Sequence, residues 1–205
     1  MPEHDPAKTL VYHITHLDNL AGIMARGLES DALRQAQATK LIGYDHIKQR
    51  RLTQYTVPCS GNRFVGHFVP FYFCPRSPML YTINQGNTGL PLGCQKDIVH
   101  LVATVADLIK LGQPWAFSDG NAGAAHANFY PDWAEIEKLA WPVIEASSWA
   151  GAAHQKMAEF LVSDRVSWSV FIGIGCYDAA AESRVRSILA GATRPAVKIK
   201  PEWYY

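Results

Sequence analysis

The chain has 205 residues, 48% of them hydrophobic, 11% aromatic and 18% charged, with a formal net charge of +1. That length supports one good core or two small ones, and a single globular domain spanning 1–205 is expected. No window approaches 18 uncharged apolar residues, which argues against a membrane-spanning helix, and the acid- and proline-bearing start MPEHDPAKTL lacks the apolar segment of a signal peptide.

Cys59, Cys74, Cys94 and Cys176 form no C-x-x-C pair, and their spacing suits neither a zinc site nor a disulfide framework. A reduced, cytoplasmic protein is the expectation. Charge is uneven along the chain. From Lys40 to Arg76 the cations Lys40, Lys48, Arg50, Arg51, Arg63 and Arg76 meet only Asp45, whereas acids prevail from Asp107 to Glu145. The basic stretch suits either phosphates or an ordinary solvated face.

In chain order, TLVYHI alternates as a strand, with Val11, His13 and Thr15 on one face and Leu10, Tyr12 and Ile14 on the other. Thr15-x-x-Asp18 reads as a helix start, Leu17, Leu20, Ala21 and Met24 as a buried stripe, and Gly27 as its stop, so a helix is expected over 16–26. His13 and His16 then fall in different elements. A metal would need a third ligand on their surface. His13 beside Thr15 places an imidazole and a hydroxyl together, and both can hold a sugar hydroxyl. Short helices are expected near DALRQAQ or YDHIKQRR.

Strands are expected at 67–73, 97–105 and 114–119, with a short helix in ADLIKLG after the second. From Gly120 to Ala158 the pattern loosens, apart from a helix started by Pro131, and a long irregular stretch in a compact domain is commonly functional. Strands at 158–163 and 168–174, a helix over 178–191 and a strand at AVKIK complete the chain. Gly173-Ile174-Gly175 lacks the third glycine of a dinucleotide fingerprint, since position 178 is Asp178, and a tight strand-to-helix turn is expected there. Irregularly spaced strands outnumber helices, which favours an α+β fold. Glu159, at the mouth of the apolar run EFLV, is a candidate catalytic carboxylate.

Together YHITHLDNLAGIMARGL, GYDHIKQRR, VPFYFCPRSPMLYTI and AEFLV, in this order, resemble the DarT family, bacterial toxins related to ADP-ribosyltransferases. The resemblance covers about residues 10–200, and the FYF-x-x-RSPM block is its most specific part. It implies a single-domain α+β ADP-ribosyltransferase-like fold, with two small sheets around an NAD cleft and peripheral helices. The implied reaction transfers ADP-ribose from NAD, a co-substrate, to thymidine in single-stranded DNA, without a metal. A macrodomain antitoxin of the DarG type would remove the mark.

By the same resemblance, Glu159 is the catalytic glutamate and Arg51 the arginine that contacts NAD and helps the base lose its proton. His13 and Thr15 hold the adenosine-side ribose, and Tyr72, Arg76 and Met79 line the nicotinamide and base pocket. Residues 120–158 form the substrate-recognition loop. Within the basic stretch and this loop, Tyr44, Lys48, Arg50, His126 and His154 are candidate DNA contacts, with Tyr44 or Phe129 able to stack on a base. Transfer to RNA or protein, and a silent NAD- or nucleic-acid-binding module, are the alternative functions.

Overall fold

The computed structural model describes residues 4–34 and 40–205. Eight strands form one sheet. From edge to edge they run Ala196–Ile199, Gly173–Cys176, Ile98–Thr104, Leu10–His16, Phe68–Tyr72, Glu159–Ser163, Trp115–Ser118 and Phe129–Tyr130. The strands expected near the N-terminus and at 67–73, 97–105, 114–119 and 158–163 are all present. Residues 168–174 depart from expectation: Trp168–Val170 is a 3-10 turn, and the strand begins only at Gly173.

One residue explains where the sheet opens. Leu10–His16 pairs along its whole length with Ile98–Thr104 but meets Phe68–Tyr72 only at Tyr12 opposite Tyr72. In an antiparallel ladder a residue's N–H and C=O point to the same side. The Pro70 carbonyl accepts from the His13 ring at 2.8 Å, so the donor that Pro70 lacks would also have faced Leu10–His16. The two strands therefore part beyond Tyr12, and the His13 imidazole fills the gap. The two small sheets expected are the halves on either side of this wedge.

Phe71, Phe117, Phe160 and Leu101, all fully buried, anchor the main core on one side of the sheet. Each contributes roughly 1.5–3 kcal/mol by leaving water. A smaller cluster of Val57, Val65, Phe68, Ala116, Ala122 and Leu161 lies under the Thr56–Phe64 hairpin on the second half, and the Asp45–Thr53 helix, with no buried residue of its own, sets Leu52 against Gly66 beside it. Ile14, Leu80, Ile83, Ile98 and Tyr204 form a third cluster under the Pro78–Asn84 helix.

Local chemistry corrects one further expectation. The first helix begins as a 3-10 turn, Leu17–Asn19, and continues as Leu20–Arg26; His16, not Thr15, caps it, accepting from the Asp18 N–H at 3.1 Å. Gly27 ends it with φ +85°, where a side chain would be strained. Only Tyr177 and Asp178 separate the Gly173–Cys176 strand from the next helix, so the tight strand-to-helix turn expected there is present, and Gly175 is needed because a Cβ would collide with the Trp203 ring. The Ala179–Leu189 helix that follows is capped by Asp178. The expected helix at DALRQAQ is present as Asp31–Arg34, and the rest of that run lies outside the described residues. Among the described residues no helix is long and apolar enough to cross a membrane.

Candidate active site

The wedge between Leu10–His16 and Phe68–Tyr72 opens into a cleft. His13, Thr15, Tyr44, Lys48, Arg51, Tyr72 and Met79 line it, joined by Asn19, Asp31, Arg34, Asn121 and Met157. Glu159 lies against this wall as the first residue of its strand, opposite Tyr72 on one side and Ser118 on the other. Its residue is 1% exposed.

A carboxylate so deeply placed needs compensation, and it has three donors. Arg51 donates Nη1–H to Oε1 at 3.0 Å and Nη2–H to Oε2 at 2.8 Å. The Ala122 N–H donates to Oε1 at 3.0 Å. Ala122 is aimed there by the turn after Trp115–Ser118: the Ser118 hydroxyl donates to the Gly120 carbonyl at 2.7 Å and accepts from the Glu159 N–H at 3.3 Å. Burial works against the charge on Arg51, but the Glu159 carboxylate outweighs it and raises the guanidinium pKa above its ordinary value. Burial, reinforced by Glu159, raises the Tyr72 phenol above its usual range, so Tyr72 stays a protonated donor.

His13 is a neutral acceptor towards the cleft. Burial pulls its pKa down to about 4, partly countered by the bond to Pro70. Since the Pro70 carbonyl can only accept, the proton sits on Nδ1 and leaves Nε2 a lone pair. Thr15 is buried nearby, its Oγ1 accepting from Asn19 Nδ2 at 3.2 Å. Across the cleft, Asp31 meets Arg34 at 2.6 Å and Lys48 at 3.4 Å. Burial opposes the Asp31 charge, yet Lys48, Arg34 and Arg51 hold its carboxyl below the usual range. Burial lowers the Lys48 pKa, with Asp31 pulling the other way.

The remaining candidates stand apart. Arg50 is exposed, its guanidinium over the Tyr55 ring and bonded to the Tyr55 hydroxyl and to Gln54. Arg76 does not line the cleft; it lies 4.6 Å from the Tyr205 ring centroid. Phe129 packs in the small core. The His126 and His154 ring centroids lie 4.2 Å apart, with the rings tilted by 45° to each other. His154 covers Gly120 so closely that no Cβ would fit there, which places it behind the turn that serves Glu159. Asp31, Arg34, Asn19 and Asn121 escaped the sequence reading. Asp31 and Arg34 form an ordinary i, i+3 helix pair in one dimension, and Asn19 and Asn121 carry no spacing signal.

Among the described residues no group of three or more His, Cys, Asp or Glu could hold a metal. The polar set of an acceptor imidazole, a threonine hydroxyl, a phenol and a guanidinium fits a polyhydroxylated, anionic molecule such as a dinucleotide.

Comparison with known proteins bears on this cleft. Residues 12–205 match the family model described as ssDNA thymidine ADP-ribosyltransferase, DarT. The DNA ADP-ribosyl transferase of Thermus aquaticus is 37% identical over 203 residues, covering 98% of this chain and 90% of that protein. Thermus sp. 2.9 DarT superimposes in its complex with ADP-ribosylated ssDNA with a TM-score of 0.90 at 38% identity, over all of both chains. Its NAD+ complex gives a TM-score of 0.86 at 35% identity, over all of this chain and 99% of that one. A DNA ADP-ribosyl transferase-DNA ADP-ribosyl glycohydrolase fusion protein of Thermosipho africanus is 26% identical over 194 residues, 91% of this chain and 47% of the fusion. The chain belongs to the DarT family of ssDNA thymidine ADP-ribosyltransferases.

Proposed function

We propose that this chain is a toxin enzyme that transfers ADP-ribose from NAD to thymidine bases in single-stranded DNA. The carrying observation is the buried Arg51–Glu159 pair on the wall of a cleft that also presents His13, Thr15 and Tyr72. NAD supplies an activated ADP-ribosyl group whose pyridinium departs as neutral nicotinamide, so the leaving group needs no general acid and one carboxylate suffices, unlike a glycosidase pair. His13 Nε2 accepts from, and Thr15 orients, a hydroxyl of the adenosine-side ribose. Tyr72 and Met79 line the nicotinamide and base pocket. Glu159 accepts from a hydroxyl of the reacting ribose and sets negative charge where positive charge grows, a placement worth roughly 3–4 kcal/mol.

The new bond joins a thymine ring nitrogen to the ribose carbon that nicotinamide leaves, and the nitrogen's proton passes to solvent. That nitrogen is weakly acidic. Arg51, held charged, favours its anion electrostatically and is ill suited to act as a literal base. Tyr44 and Lys48 on the open side contact the DNA, and residues 120–158 form the substrate-recognition region. The base must be unstacked to enter, which explains a single-stranded substrate. DNA and NAD place the enzyme in the cytoplasm, and a DarG-type macrodomain antitoxin is its partner.

The test is labelled NAD offered with separate pools of thymidine-containing oligonucleotides, thymidine-free oligonucleotides, RNA and protein. Label confined to the first pool is expected. Label on RNA or protein alone would move the acceptor elsewhere on the same fold, and no label at all would leave a binding module.

A further inference from the structure

The most specific stretch of the sequence, CPRSPM, is held in a way the reaction does not explain. Three successive carbonyls are taken by distant side chains. The His100 Nε2–H donates to Pro75 O at 3.0 Å, and the Tyr205 hydroxyl lies 2.9 Å from Arg76 O and 3.3 Å from Ser77 O. That hydroxyl also accepts from the Trp149 indole N–H at 3.0 Å. A phenol has one proton and two lone pairs, so it can donate to the turn and accept from Trp149 together. The Tyr205 ring carries the Arg76 guanidinium on its face and meets Tyr81 edge-on at 5.2 Å.

Tyr205 is itself fixed. Its N–H donates to Gln95 Oε1 at 3.0 Å, Gln95 Nε2–H donates back to its carbonyl, and the neighbouring Tyr204 hydroxyl binds Ile98 O at 2.8 Å. The two stretches it joins both lead to the cleft. Ser77 caps the Pro78–Asn84 helix, whose first turn carries Met79 into the cleft. Trp149 lies in an irregular run where Ser147, Ser148, Ala150 and Gly151 are exposed, just before Ala153–Lys156 and the cleft residue Met157.

We infer that Tyr205 is a positioning residue whose hydroxyl splints the Arg76–Met79 turn to the Trp149 stretch and so sets the width of the rim through which the acceptor base enters. The inference rests on the proposed DNA acceptor, and it acts on DNA engagement rather than on NAD. Tyr205→Phe keeps the ring under Arg76 and removes both hydrogen bonds. Its KM for a thymidine oligonucleotide should rise roughly tenfold, the scale of one or two lost hydrogen bonds, while kcat falls less and the Kd for NAD stays within about twofold. Trp149→Phe should do the same, and the double variant should be no worse than the poorer single one.

Hydrogen exchange of the DNA-free protein supplies a readout independent of the acceptor. Amides of 75–78 and 146–152 should exchange faster in Tyr205→Phe. Unchanged oligonucleotide KM, independent effects that multiply in the double variant, or unchanged exchange would overturn the splint. Should the wild-type enzyme label no DNA, the proposed function fails, and the exchange data still decide whether Tyr205 couples the two walls.

Discussion

Arg51 holds Glu159 through both terminal nitrogens, at 3.0 and 2.8 Å, with the two side chains 12% and 2% exposed. Low surrounding dielectric strengthens such a pair and makes each half dependent on the other, because a buried charge left alone costs far more than a surface one. The same geometry leaves Glu159 with unused lone pairs, since three donors do not saturate a carboxylate. The group is therefore fixed in place and still able to accept a substrate hydroxyl.

Glu159→Gln and Glu159→Ala should separate catalysis from stability. The glutamine oxygen can keep the bonds from the Ala122 N–H and Arg51 Nη1–H, loses the one from Nη2–H and carries no charge, so transfer to thymidine oligonucleotides should fall by about 100-fold or more, with a smaller loss of stability than alanine causes. Alanine leaves the Arg51 guanidinium buried without its carboxylate, which should destabilise the protein by about 3–5 kcal/mol in urea unfolding. Wild-type transfer by the glutamine variant would remove Glu159 from the mechanism.

Gly120 and His154 should behave as one unit. A Cβ at Gly120 has no room beneath the His154 ring, so Gly120→Ala must displace either the ring or the turn that points Ala122 at Glu159. Transfer should drop about tenfold or more, and His154→Ala in the same chain should restore most of it by vacating the space. Steady-state kinetics of both single variants and the double variant decide the matter; failure of the second substitution to rescue would show that Gly120 is needed for its backbone and not for clearance.

Much of this was legible in one dimension, and the reasons are local. Val11, His13 and Thr15 alternate, Gly27 stops a helix, and β-branched runs mark central strands, so these elements could be read from period and turn chemistry. The Arg51–Glu159 pair was not legible from pattern alone: the two residues are 108 positions apart, and only family resemblance joined them. Helix phase was one source of error. Arg50 and Arg51 are neighbours in sequence, yet one faces solvent and the other the cleft, because adjacent residues on a helix point about 100° apart. Nothing in the spacing of Asp31 and Arg34 announces that Lys48 reaches Asp31.

Helix phase gives a further test. Lys48 lines the cleft with its ammonium 3.4 Å from Asp31, whereas Arg50 is spent on Tyr55 and Gln54 at the surface. Lys48→Ala should raise the oligonucleotide KM several-fold and flatten its dependence on salt by about one counterion. Arg50→Ala should leave KM within about twofold. A loss in Arg50→Ala equal to that in Lys48→Ala would mean that the DNA crosses the outer face of this helix.

Acid should weaken the fold through His100 before it affects surface charges. His100 is fully buried, donates one ring N–H to Pro75 and has no partner for Nδ1. Burial pulls its pKa from 6.5 down to about 4, against a smaller opposing effect of the Pro75 bond. The native state therefore resists a proton that the unfolded chain accepts. The stabilising difference is whole above pH 6.5 and is lost as pH falls towards 4, at up to about 1.4 kcal/mol per pH unit. His13, also near 4, pulls in the same direction. Urea unfolding from pH 7 to pH 4.5 should show this decline, and His100→Gln, although less stable at pH 7, should have a shallower slope. An equal slope in the variant would show that the imidazole takes up its proton without leaving the folded state, and that the Pro75 turn tolerates a charged ring.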